Sequence, residues 1–196
     1  QEGDKPGLLN AAQIDSLVEQ IHQNSNGQSL EATGAAASNL DLYQVNCTYY
    51  NALGANDQAY LIARAVQIFS PGIPQVYYAG LLAAENDMAL LAKTKVGRDI
   101  NRPYLDEQAV SESLEKPVVK ALIALIRLRN SLAALAGEFS VTQQENILRL
   151  NWQADESTAQ LTVDFASLMA SVTYNEEGLE RHVDVSVDGL AQSMTA

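Results

Sequence analysis

Three stretches in the first 136 residues space their apolar side chains as an amphipathic helix does. Residues 11–23 form the first, and Asn10 and Gln13 have the spacing of a capping box at its start. Residues 57–69 form the second, which a Ser-Pro-Gly-Ile-Pro run ends. Residues 117–135 form the third, with leucines and valines along one face. The pattern predicts a helix at each of these three places.

A short, β-prone and almost wholly apolar run, Gln-Val-Tyr-Tyr-Ala-Gly, occupies residues 75–80. Such a run is typical of a parallel strand that is buried on both faces. We therefore expect a strand here, and we expect Tyr77 and Tyr78, like Tyr49 and Tyr50, to lie in the core rather than stack on a sugar. A single parallel strand cannot form a sheet, and a complete (β/α)8 barrel needs about 250 residues. The first 136 residues therefore indicate the end of a longer β/α array.

After Gly137 the hydrophobic period changes from helical to alternating, which is typical of half-buried antiparallel strands. The alternating apolar positions are Leu148, Leu150 and Trp152, then Leu161, Val163 and Phe165, then Val183, Val185 and Val187. The fold class that follows is α/β plus all-β, with a boundary between residues 1–136 and residues 137–196.

Composition excludes several classes of partner and cofactor. Lys and Arg number 12 against 24 Asp and Glu, a formal net charge of −12, so neither nucleic acid nor a membrane surface is an expected partner. With one cysteine, Cys47, and two histidines, the chain has no internal disulfide, and we expect no zinc, no other metal and no cofactor. A nucleophilic role for Cys47 is disfavoured. A cytoplasmic, reducing location fits this cysteine usage.

Three segments carry a resemblance to a known family. They are residues 32–46, residues 69–78 with the run Pro-Gly-Ile-Pro-Gln-Val-Tyr-Tyr, and residues 85–102, which hold Glu-Asn-Asp-Met and Gly-Arg-Asp-Ile-Asn-Arg. They resemble the sucrose phosphorylases, a subgroup of the α-amylase-type retaining glycoside enzymes. The resemblance implies that residues 1–136 are the C-terminal portion of a (β/α)8 catalytic barrel and that residues 137–196 are a small C-terminal β domain.

In barrel terms, the resemblance places 11–23 in the excursion after strand seven and 57–69 at helix seven. It places strand eight at 75–79 and helix eight at 117–135. It also implies the reversible reaction of sucrose with phosphate to give α-glucose 1-phosphate and fructose, with retention. The three family carboxylates would lie upstream of Gln1, so the resemblance implies no catalytic residue in this chain. We expect the chain to be inactive without the missing N-terminal half of the barrel.

The substrate-binding residues implied by the resemblance lie in two loops. Arg98 of Gly-Arg-Asp-Ile-Asn-Arg would donate hydrogen bonds to glucose hydroxyls, a task that suits the rigid guanidinium. The alternative is a purely structural role, in which Arg98 pairs with Asp99 to stiffen the loop.

The second loop resembles the family's acceptor-site loop and holds Leu40, Asp41, Tyr43 and Gln44, which would contact fructose or phosphate. The alternative is that these residues only form a turn, since Asp is a common turn residue. Gln44 favours sucrose over sucrose 6′-phosphate. Glu85 and Asp87 are expected to shape a loop rather than act as a catalytic pair.

Several hypotheses about the function of the chain stay open. The chain could serve another phosphorylase of the subgroup, for glucosylglycerate or sucrose 6′-phosphate. It could also be a non-catalytic carbohydrate-binding protein or one half of a split enzyme. Family members are often dimers, so a homodimer is a further expected assembly.

Overall fold

A computed structural model describes residues 7–33, 45–176 and 178–193. In chain order the elements are α1 (Ala11–Asn24), α2 (Gln28–Glu31), α3 (Tyr49–Ala52), α4 (Asp57–Phe69), α5 (Tyr78–Leu81), α6 (Met88–Thr94), a 3₁₀ turn (Gly97–Asn101), α7 (Glu107–Leu114), α8 (Pro117–Ser131), a second 3₁₀ turn (Ala133–Ala136), β1 (Glu138–Gln144), β2 (Ile147–Ala154), β3 (Ser157–Asp164), β4 (Met169–Glu176), β5 (Leu179–Asp184) and α9 (Val187–Ser193).

The chain divides into two compact units. The first comprises Gln1–Asn56 and Ala84–Leu105, and the second comprises Asp57–Ala83 and Asp106–Ala196. The sheet begins at Glu138, next to the predicted boundary, but α4 and α8 share its unit. The division into a barrel part and a β domain at residue 137 therefore stays a prediction.

The first unit begins with α1, whose start is the predicted capping box. The Asn10 side chain accepts from the backbone N–H of Gln13, and Gln13 Oε1 accepts from the backbone N–H of Asn10, both at 2.9 Å. None of the α1 residues is buried, and Ile14 and Leu17 are 48% and 52% exposed. The sequence pattern therefore identified the helix correctly, and its apolar stripe lies at the surface.

The second unit is built on a five-stranded antiparallel sheet in the order β1-β2-β3-β4-β5. Its inner face carries a register-matched row in which Leu150, Leu161, Val172 and Val183 are all buried. Helix α4 contacts α8, β3 and β4. Trp152 on β2 donates its indole N–H to the carbonyl of the last α4 residue, 2.8 Å away.

The predicted strand over 75–79 is wrong. Residues 74–77 form no strand, and α5 begins at Tyr78. A strand exists only through hydrogen bonds to a neighbour, and no described segment pairs with this one. The segment is exposed instead, with Ile73 at 91% and Tyr77 at 56%.

The prediction of core positions for the paired tyrosines is also wrong for Tyr49, Tyr77 and Tyr78, which are each at least 40% exposed. Among the described tyrosines, Tyr60 on α4 is fully buried. Within the described ranges, no helix has the length and apolar character needed to cross a membrane.

Candidate functional site

Arg98 lies on the 3₁₀ turn Gly97–Asn101 of the first unit. The turn is closed by two backbone bonds, from Asp99 N to Val96 O at 3.0 Å and from Arg102 N to Asp99 O at 3.2 Å. Ile100 is fully buried in a small apolar cluster with Ala32, Leu91 and Met88. The turn is therefore anchored through Ile100.

The guanidinium of Arg98 points out from this anchored turn. Arg98 is exposed, and neither an ion pair nor a hydrogen bond joins it to Asp99 or to any other described residue. Ion pairs elsewhere in the described part of the chain include those of Lys120 with Glu115 and of His182 with Asp184. The pairing with Asp99 that would make Arg98 a loop-stiffening residue is therefore not formed, and its donors are available to a ligand.

Asp87 ties the turn to the neighbouring helix. Its backbone N–H donates to Ile100 O at 2.7 Å, and its carboxylate accepts from Leu90 N at 2.8 Å as the N-cap of α6. Asp87 therefore shapes the loop, as predicted. Glu85 is exposed.

Asn86, between these two acidic residues, makes more contacts than either. Its Oδ1 accepts from Thr48 N at 2.8 Å, its Nδ2 donates to Gln28 Oε1 at 3.0 Å, and its own N–H donates to Asn51 Oδ1 at 2.7 Å. Its Nδ2 also lies 3.6 Å from Cys47 Sγ. The sequence pattern did not indicate this role of Asn86, because hydrogen bonds to partners far away in the chain leave no periodic signal.

Two amide oxygens near this network, Asn46 Oδ1 and Asn101 Oδ1, are buried without a hydrogen-bond partner among the described residues. The other amide atoms are used: Asn46 Nδ2 donates to Ala32 O at 2.7 Å, and Asn101 Nδ2 lies 3.5 Å from Cys47 O. A buried acceptor without a partner costs about 1–3 kcal/mol. Both oxygens therefore favour a donor, such as an ordered water or a hydroxyl group.

Cys47 is a free thiol within this network. Burial raises its pKa, and hydrogen bonds with Asn86 and Ser25 partly oppose that effect. A raised pKa reduces the thiolate fraction at neutral pH, which is the opposite of what a nucleophilic cysteine needs.

The acceptor-loop residues Leu40, Asp41, Tyr43 and Gln44 lie outside the described residues. Of the predicted site residues, Arg98 is thus the one that the structure describes. Across the described ranges, no group of three or more His, Cys, Asp or Glu side chains is arranged to hold a metal ion.

The architecture corresponds to the C-terminal region of a barrel-type sugar phosphorylase. A crystal structure of sucrose 6F-phosphate phosphorylase from Thermoanaerobacter thermosaccharolyticum superposes with a TM-score of 0.80 at 38% identity, over 93% of this chain and 37% of that one. The fold is thus the C-terminal part of a (β/α)8 barrel followed by a small antiparallel sheet.

Sequence comparison narrows the class. The chain is 58% identical over 170 residues to the sucrose phosphorylase of Agrobacterium vitis, covering 86% of this chain and 35% of that protein. It is 55% identical over 159 residues to the sucrose phosphorylase of Bifidobacterium adolescentis, covering 81% and 32%. No family model matches. The chain is homologous to the sucrose phosphorylases, corresponds to their C-terminal part, and spans about a third of the length of these curated relatives.

Proposed function

We propose that these 196 residues are part of a sucrose phosphorylase, which transfers glucose from sucrose to phosphate and releases α-glucose 1-phosphate and fructose. The observation that carries the proposal is the 58% identity over 170 residues to a protein of that name. The position of Arg98 on an anchored turn, exposed and with no described residue paired to its guanidinium, supports the proposal.

In this proposal Arg98 serves the donor subsite. A guanidinium presents several donors in a fixed plane, so it can hold two sugar hydroxyls at once and set the orientation of the ring. Because no described residue occupies these donors, no internal bond has to break when the sugar binds. Leu40, Asp41, Tyr43 and Gln44 form the acceptor side.

The chemistry itself is assigned to groups outside this chain. In a retaining transfer, one carboxylate attacks the anomeric carbon while a second protonates the departing fructosyl oxygen. A phosphate oxygen then attacks the same carbon and displaces the enzyme carboxylate. We propose that an N-terminal barrel portion supplies these carboxylates and that the chain alone is inactive.

The second candidate is a phosphorylase for sucrose 6′-phosphate, favoured by the structural match to an enzyme of that name. The higher identities to sucrose phosphorylases, 58% and 55%, and the uncharged Gln44 support sucrose instead. A glucosylglycerate phosphorylase, a non-catalytic carbohydrate-binding protein and a split-enzyme subunit are the remaining alternatives.

The test is an activity assay on the complete gene product. Glucose 1-phosphate is measured with sucrose, sucrose 6′-phosphate or glucosylglycerate as donor, each with and without phosphate. Phosphate-dependent release from sucrose, faster than from the other donors, is the expected result. Preference for another donor would support the corresponding phosphorylase. No turnover, with retained sugar binding, would support the non-catalytic alternative, and activity restored by an added second polypeptide would support the split enzyme.

Two features of the whole protein belong to the same proposal. We propose a homodimer, which sedimentation of the complete gene product would test. We also propose a cytoplasmic location, supported by the single free thiol of Cys47, which suits a reducing compartment. Cell fractionation would test it.

A further inference from the structure

The amide of Asn86 joins parts of the first unit that are distant in sequence. Its Oδ1 accepts from Thr48 N at the start of α3, and its Nδ2 donates to Gln28 at the start of α2. The same nitrogen lies 3.6 Å from the sulfur of Cys47. All of these partners lie at least 38 residues from Asn86 along the chain.

This combination of contacts requires an amide. One oxygen acceptor and two N–H donors are presented in one plane, and here the oxygen and the nitrogen are both used. An aspartate at this position would keep the acceptor for Thr48 N but would lose both donors. An alanine would lose everything but the backbone N–H bond to Asn51.

The network continues into the turn that carries Arg98. The next residue, Asp87, donates its backbone N–H to Ile100 O at 2.7 Å. From the other side, the amide of Asn101 lies 3.5 Å from Cys47 O. The turn is thus held between residue 87 and residue 47, and Asn86 fixes these two positions relative to each other.

We infer that Asn86 is a positioning residue for Arg98. By locking the backbone at 47–48 to residues 86–87, it sets the direction in which the anchored turn presents the guanidinium. Its link to the sugar rests on the function proposed above for Arg98, whereas its control of the turn does not.

The kinetic test is a double-mutant cycle in the complete gene product. We expect Asn86→Ala to lower kcat/KM for sucrose by about 10- to 100-fold, the size of effect produced by misplacing a binding group by roughly 1 Å. In an Arg98→Ala background, the same change is expected to cost less than 3-fold, because residues that act as a unit are not additive. Equal losses in both backgrounds would overturn the inference.

Asn24→Ala is the matched control. The Asn24 side chain also makes one long-range bond in this unit, from Nδ2 to Ala52 O at 2.8 Å, but no described bond links it to the Arg98 turn. It should therefore leave kcat/KM within about 3-fold of the parent. An equal loss in this control would show that Asn86→Ala acts through general destabilisation. The kcat/KM of Asn86→Asp should lie between that of the parent and that of Asn86→Ala.

Hydrogen exchange tests the inference without activity. In Asn86→Ala, amides in peptides covering 46–52 and 97–102 should exchange at least about tenfold faster than in the parent, and Asn24→Ala should leave 97–102 unchanged. Unchanged exchange at 97–102 in Asn86→Ala would overturn the inference. Faster exchange there in a protein without phosphorylase activity would refute the proposed function and leave control of the turn standing.

Discussion

Replacing Arg98 by alanine separates an effect on substrate binding from an effect on folding. The side chain is exposed and has no hydrogen bond or ion pair to a described residue, so its removal breaks no contact seen in the structure. Surface changes of this kind alter stability by about 0.5 kcal/mol or less. The free energy of unfolding should therefore stay near that of the parent.

The effect on catalysis should be much larger. A hydrogen bond from a charged donor contributes about 1.5–3 kcal/mol. Loss of even one such bond to the glucosyl hydroxyls of the proposed donor subsite, about 1.5–3 kcal/mol, corresponds to a fall of about 10- to 150-fold in kcat/KM. Arg98→Lys keeps the charge but loses the planar fork, so it should recover only part of this loss.

The assay is the initial rate of glucose 1-phosphate formation by the complete gene product over a range of sucrose concentrations. Arg102→Ala is the matched control, since Arg102 is an exposed arginine at the end of the same turn. It should retain kcat/KM within about 3-fold. If Arg98→Ala kept kcat/KM within 2-fold of the parent, or if Arg102→Ala lost as much as Arg98→Ala, the reasoning for Arg98 would be refuted.

Three further predictions concern the two units. Trp152→Phe removes the donor to the buried Phe69 carbonyl and should lower the free energy of unfolding by about 1–3 kcal/mol in urea denaturation, and an unchanged midpoint would contradict this. Gly137→Ala would place a Cβ 1.9 Å from the backbone oxygen of Gln153, so destabilisation of about 3 kcal/mol is expected by the same measurement, and a neutral change would contradict it. Burial raises the pKa of Cys47, so its alkylation in the folded protein, followed by peptide mass spectrometry, should accelerate at higher pH than in urea; coincident pH profiles would contradict this.

Sequence patterns identified the elements whose apolar spacing is regular. Helix α4 was predicted over 57–69 with its observed bounds, and β2 and β3 follow the alternation of Leu150 and Leu161. Strand β1 was missed because its alternation is limited to Phe139 and Val141, as suits an edge strand with mostly exposed side chains. Val187, predicted as a strand position, begins α9 because β5 ends at Asp184.

The residues of the candidate site also differ in how far the sequence predicts them. Arg98 could be identified from its motif, because the surrounding residues are contiguous in the chain. Asn86 could not, because its role depends on Thr48 and Gln28, which only the fold brings near it. Likewise, the failed strand at 75–79 shows that an apolar run predicts a strand only where another strand can pair with it.

The local charge of the Arg98 turn differs in sign from the net charge of the chain, and this matters for the anionic phosphate of the proposed reaction. The net charge is −12, so in the proposed reaction phosphate would approach against that field. At physiological ionic strength, however, exposed charges more than about 8 Å away are largely screened. The local balance then dominates, and residues 97–102 carry two arginines against one aspartate. Because no ion pair to a described residue neutralises Arg98 or Arg102, the turn carries a local positive charge although the chain as a whole is acidic.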